Sequence, residues 1–128
     1  MKTTMKFTGL GILLTIATAV SISACSKPQP PRAEVTAEAK EMFASRCAAC
    51  HGADGRGNGP ASASLTPKPR NYTDVTWQKS VTDEQIKKTI TLGGASVGKS
   101  PIMPASPDIE QNPQMLEGLV TIVRKFGE

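Results

Sequence analysis

The sequence predicts an all-α domain built on three main helices, and three observations carry that expectation. Apolar residues recur at helical spacing in three stretches, each opened by a residue suited to cap a helix. Prolines and glycines gather between those stretches, where a helix would have to stop. No stretch shows the strict apolar–polar alternation of a half-buried strand. A chain of 128 residues has room for one such domain.

The N-terminus stands apart from it. Lys2 and Lys6 form a positive start, and residues 7–22 are an apolar run ending in small residues, the pattern of a secretory signal peptide. A transmembrane anchor is the alternative, since the run is nearly long enough to span a bilayer. Ile22-Ser23-Ala24-Cys25 favours export: it resembles the lipobox of bacterial lipoproteins, in which the signal is cut before the cysteine and the cysteine is acylated. Residues 1–24 are then a signal peptide, and lipidated Cys25 holds the protein to a membrane from the periplasmic side. Ser26 in place of an aspartate leans toward the outer membrane by the sorting pattern of Gram-negative lipoproteins. Residues 25–34 comprise the lipidated cysteine and a proline-rich tether, extended at about 3.1 Å per residue. The folded domain occupies 35–128.

The first helix opens at Thr36, a good N-cap. Val35, Ala39, Met42, Phe43, Cys47 and Cys50 share one face, while Glu38 and Glu41 turn to water. It ends near Gly52 with Cys47-Ala48-Ala49-Cys50-His51. Two cysteines three apart with a histidine directly after read as the attachment site of a c-type haem. Each thiol adds to one vinyl group of the porphyrin, one helical turn spaces the two sulfurs, and the imidazole of the next residue points at the iron. His51 is the chain's one histidine. Two other readings stand beside this one. A redox CxxC usually opens a helix after a strand, whereas this one closes a helix. A structural zinc site needs four nitrogen or sulfur ligands, and Cys47, Cys50 and His51 supply three.

Residues 52–60 form a glycine-dense loop that follows a helix rather than a strand, which argues against a phosphate-binding loop. Its glycines permit positive φ and close approach to a flat ring. Residues 61–65 suggest a short helical turn, and Pro67 and Pro69 exclude regular helix beyond it. Thr82-Asp83-Glu84-Gln85 is a capping box that opens a second helix, with Ile86 and Ile90 on its apolar face and Gly93 or Gly94 as its stop. Residues 95–112 read as loop. Asn112-Pro113 starts the third helix, whose Leu116, Leu119, Val120 and Val123 form a buried stripe flanked by Met115 and Phe126.

These parts, in this order, resemble a class I cytochrome c over residues 36–127. The resemblance implies a small cytochrome c fold packed around one covalent haem c. Cys47 and Cys50 would be the thioether cysteines and His51 the proximal iron ligand. Pro60 resembles the proline whose carbonyl accepts a hydrogen bond from the ligand imidazole, fixing the ring and raising its basicity. Met103, in Pro101-Ile102-Met103-Pro104, resembles the sixth ligand; His/Met ligation raises the reduction potential. Its alternative role is a methionine filling a core gap. Phe43 resembles the aromatic that packs on the C-terminal helix, with Ile122 as the expected partner. Pro69-Arg70-Asn71-Tyr72 looks like the segment that contacts a haem propionate, with Arg70 offering a planar fork and Trp77 an indole N–H. Arg70 as a solvated charge and Trp77 as core are the plainer alternatives. Leu65, Ile86, Ile90 and Ile102 would wall the haem pocket, as ordinary core packing would also have them do.

Signal cleavage removes Lys2 and Lys6 and takes the formal charge from +4 to +2 over residues 25–128. Two haem propionates bring it near neutral, and no basic cluster with interleaved aromatics points to nucleic acid. The expected function is a membrane-tethered electron carrier rather than an enzyme, docking redox partner proteins transiently and taking no small-molecule substrate. The alternatives are a haem subunit of a larger oxidoreductase complex, or a small haem enzyme or sensor with a labile sixth ligand.

Overall fold

Helix starts follow the caps. The Thr36 side chain accepts from Ala39 N–H at 3.1 Å and opens α1 (Ala37–Met42). The computed structural model describes residues 31–128, so the expected signal peptide and the expected lipidation site Cys25 lie outside the described residues. After α1 the helix widens into a π-helical segment, Phe43–Cys47, and closes with one α-turn, α2 (Ala48–His51). A 3-10 turn spans Pro60–Ser62, where residues 61–65 led one to expect a short helical piece. Three further helices lead to the last: α3 (Val75–Ser80), α4 (Asp83–Ser96) and α5 (Pro107–Glu110). The last is α6 (Pro113–Lys125). The described residues contain no strand, as the sequence predicts. No described helix is long and apolar enough to cross a membrane.

The capping box at Thr82 is present in both directions: Gln85 N–H donates to the Thr82 hydroxyl, and Thr82 N–H donates to the Gln85 side chain at 2.8 Å. Asn112 caps α6, accepting from Met115 N–H with Pro113 at the first helical position. α4 breaks at Gly93, whose φ of 77° no β-carbon tolerates well. Two short helices escaped the sequence reading. Asp74 caps α3 by accepting from Thr76 and Trp77 N–H. Pro107 sits at the start of α5 and delivers Ile109 to the core, in a stretch that reads as loop. Elements of four to six residues are too short to show a hydrophobic period.

The core gathers on α6. The sequence predicts a stripe, yet every residue from 118 to 124 is buried. Leu119, Val120, Ile122 and Val123 pack with Ala39, Phe43, Tyr72, Ile86 and Ile109; each large side chain so buried contributes about 1.5–3 kcal/mol. Gly118 lets α1 cross close, because a β-carbon there would lie 2.8 Å from that of Ala39. Phe43 shares this core with Ile122, as expected, and also meets the ring of Phe126, with centroids 5.5 Å apart. Phe126 lies just past the periodic stripe, in the turn that ends α6, and its ring meets Phe43 at the start of the π-helical segment.

Two devices bury the polar side of α6. Residues 31–34, the end of the expected tether, lie along it: Thr121 Oγ1 donates to the Ala33 carbonyl, and Arg32 pairs with Glu128 at 2.6 Å. On another side Arg124, 6 % exposed, spends its fork on Asp83 and on the carbonyls of Gln78 and Val81, all at 2.6–2.7 Å. Lys87 on α4 also pairs with Glu117 on α6.

Removing Arg124 strands a carboxylate and two carbonyls at once. Arg124→Leu should therefore cost about 3 kcal/mol, the low end for a broken buried pair because Asp83 still reaches water. Thermal unfolding of the holoprotein should show a Tm lower by roughly 10–20 °C. A loss well under 1 kcal/mol would mean the clamp contributes little.

Candidate haem site

The end of the first helix sets out the reactive groups. Cys47 closes the π-helical segment and Cys50 lies one helical turn on, so both thiols sit on the same side. Both are free and half-buried. Burial pushes the Cys47 thiol above its usual pKa, against the pull of the Arg46 charge. His51 follows at the C-terminus of α2, 8 % exposed. Its backbone is fixed by the glycine loop: Gly57 N–H donates to the His51 carbonyl at 2.7 Å and Gly59 N–H to that of Cys50. A β-carbon on Gly59 would lie 2.4 Å from the carbonyl oxygens of Ala48 and Ala49, so this approach needs glycine.

The imidazole is held on both nitrogens. Nδ1 lies 3.2 Å from the Arg70 carbonyl and Nε2 lies 3.1 Å from the Tyr72 hydroxyl. A carbonyl can only accept, so Nδ1 carries the proton and Nε2 keeps its lone pair, to which Tyr72 donates. Desolvation lowers the pKa of the ring, with the Arg70 carbonyl pulling the other way. The ring is therefore neutral at pH 7. Tyr72 stacks on it at 4.5 Å with planes 12° apart, and burial raises the phenol pKa far above normal.

The sequence reading gave the Nδ1 contact to Pro60, and the structure corrects this. Pro60 is exposed and opens the 3-10 turn. Gly57, at φ 74°, is crossed so closely by the chain that a β-carbon would lie 2.4 Å from the Pro69 carbonyl. That crossing carries residues 69–72 over the loop and brings the Arg70 carbonyl to the ring. The loop glycines do adopt positive φ, at Gly52, Gly55 and Gly57. The flat ring that Gly55 approaches is the side chain of Phe126.

Arg70 and Trp77 come together, with the guanidinium 5.7 Å from the indole centroid and Asp74 at 3.9 Å. Trp77 is half-buried and touches Tyr72. Met103 is half-buried on a separate loop saddled on the end of α4, where Gly94 N–H donates to its carbonyl at 3.0 Å. A β-carbon on Gly93 would crowd the Ala105 nitrogen at 2.7 Å, so the glycine pair seats the loop as well as ending the helix. Of the expected pocket walls, Ile86 is core, Ile90 and Leu65 are half-buried, and Ile102 is 49 % exposed. Sequence reasoning missed Gln78 and Arg124, which fasten Tyr72 to α6; their partners lie up to 46 residues away and leave no local signal.

The donor set fits a c-type haem: two free thiols one turn apart, and a neutral imidazole whose Nε2 lone pair is the one a metal would take. Among the described residues no group of three or more His, Cys, Asp or Glu is placed to hold a metal ion by itself, as a zinc site would require.

Comparison with known proteins agrees. The family model described as "Cytochrome c" matches residues 36–121. The chain is 40% identical over 67 residues to the "Cbb3-type cytochrome c oxidase subunit CcoP" of Rubrivivax gelatinosus, a match covering 52% of this chain and 19% of that subunit. Its fold is similar to the solved "KustC0563 c-type cytochrome", with a TM-score of 0.53 and 26% identity, over 70% of this chain and 98% of that one. The chain belongs to the cytochrome c family, as a class I monohaem member with covalently bound haem c.

Proposed function

We propose that this chain is a membrane-tethered carrier of single electrons, with Cys47 and Cys50 as thioether anchors and His51 and Met103 as the two axial ligands. The observation that carries the reading is the state of His51: neutral and protonated on Nδ1 by its bond to the Arg70 carbonyl, so that the Nε2 lone pair, which accepts from the Tyr72 hydroxyl, is the one an iron would take in that hydroxyl's place. When bound, the haem supplies a one-electron Fe(II)/Fe(III) couple. The chain supplies anchoring and a fixed ligand geometry. Ligation by both side chains would leave no position for a substrate, and the loop of Met103, fastened by the Gly94 N–H to its carbonyl, would keep that side chain from wandering. Arg70, exposed beside Trp77 and loosely paired with Asp74, would offer its guanidinium to a propionate. Leu92 and Ile102, each about half exposed and directly preceding Gly93 and Met103, offer apolar surface for brief partner docking.

A second reading has its own support. The relative named CcoP is a subunit of a cbb3-type oxidase, and this chain matches one fifth of its length. The chain would then serve as the haem module of a larger complex, with the same ligands and a permanent partner. A small haem enzyme or sensor instead needs a labile sixth ligand.

The reduced wild-type protein should resist carbon monoxide at neutral pH. Met103→Ala should bind it, turn high-spin, and lose on the order of 0.1 V in reduction potential, within the roughly 0.8 V that axial ligands command. An unchanged optical spectrum and potential would remove Met103 from the iron. Cys25→Ser should move the protein from the membrane fraction to the soluble periplasmic fraction with its haem content intact. Retention in the membrane without Cys25 would rule out the lipid tether and favour a bound partner.

A further inference from the structure

We infer that Gln78 is a positioning residue for the haem ligand, setting the electronic character of His51 from a distance. It rests on the reading of His51 as iron ligand and goes beyond it. The Gln78 amide on α3 uses every group it has. Nε2 donates to the Tyr72 carbonyl at 2.7 Å and to the Val123 carbonyl at 2.8 Å, while Oε1 accepts from Arg124 at 3.0 Å. Two carbonyls that only accept and a guanidinium that only donates leave the amide one orientation. Gln78 thereby ties the backbone of Tyr72 to the most buried helix of the fold.

Tyr72 is pinned on its other side as well, its N–H donating to the Gly55 carbonyl at 2.7 Å. Between Tyr72 and the ligand there is little slack. The Asn71 side chain accepts from both Thr73 N–H and the Thr73 hydroxyl at 2.9 Å, a local turn that stiffens residues 71–73. One residue before it is the Arg70 carbonyl that faces His51 Nδ1. The path runs from α6 through the Gln78 amide to Tyr72, along the chain to the Arg70 carbonyl, and so to the imidazole.

A firm Nδ1–H to carbonyl bond makes the imidazole a more basic ligand, which favours the oxidised iron. Loosening that bond favours the reduced iron and raises the potential. Gln78 reaches the potential through this bond while touching neither iron nor haem ligand.

The test uses the full haem-loaded protein and two neutral variants. Gln78→Met keeps length and apolar bulk but loses both donors. Gln78→Asn keeps the amide on a stem shorter by one methylene, a milder change that decides the matter where the first fails to fold. Redox titration and proton NMR of the reduced protein read the outcome. The expected result is a higher potential than wild type, with exchange of the His51 Nδ1 proton at least tenfold faster; Gln78→Asn should lie between. The inference is overturned if both variants lose thermal stability while potential and proton exchange stay at wild-type values, for then Gln78 is a structural clamp. A wild-type protein with no iron-bound His51 resonance overturns the ligand reading itself, and shows it before any variant is made.

Discussion

The contact between His51 Nδ1 and the Arg70 carbonyl is the interaction on which the site depends. It settles the tautomer by chemistry, because one partner has no proton to give. It also selects Nε2 as the nitrogen that keeps a lone pair, the one the Tyr72 hydroxyl approaches. The contact joins the end of the first helix to a segment nineteen residues on, and each side needs its own support. On the helix side, glycine N–H groups cap the last carbonyls of α2. On the other, Tyr72 is held at both backbone groups, and its ring stacks on the imidazole it serves.

Those supports lead back to α6. A helix buried on all sides over two turns must satisfy its polar side chains within the protein, or each would cost about 1–3 kcal/mol. Thr121 does so through its own helix and the strap at residues 31–34, and Arg124 through the junction of α3 and α4. The same contacts that neutralise these groups fasten the surrounding segments. In a domain with few aromatic residues the aromatic ones are used together: Phe43, Phe126, Tyr72, Trp77 and His51 form one connected set of ring contacts.

Much of this was legible in the sequence, and the pattern of what was not is physical. Thr36, Thr82 and Asn112 announced their helices because a cap is a hydrogen bond across three residues. Gly93 announced a break for a similarly local reason. The haem motif needs five consecutive positions and could be read outright. By contrast, the partner of Nδ1 is a main-chain carbonyl, which any residue at position 70 would present. The geometry comes from the close crossing at Gly57, and no side-chain pattern records it. Arg124 reads as an ordinary cation in the last turn of a helix; its burial depends on Gln78, Val81 and Asp83, more than forty residues earlier. Phe126 flanks the periodic stripe, and its ring contact with Phe43 follows from how α6 ends, which the period does not record.

The family places a covalent porphyrin at the centre of this arrangement, and one peptide reports on it most directly. Trypsin should release residues 47–56, bounded by Arg46 and Arg56, as a single fragment containing both motif cysteines and His51. The account predicts that this fragment, taken from protein made in cells able to assemble c-type cytochromes, carries one haem in its mass, absorbs in the visible, and has no thiol open to alkylation. A colourless fragment with two alkylatable cysteines would contradict it.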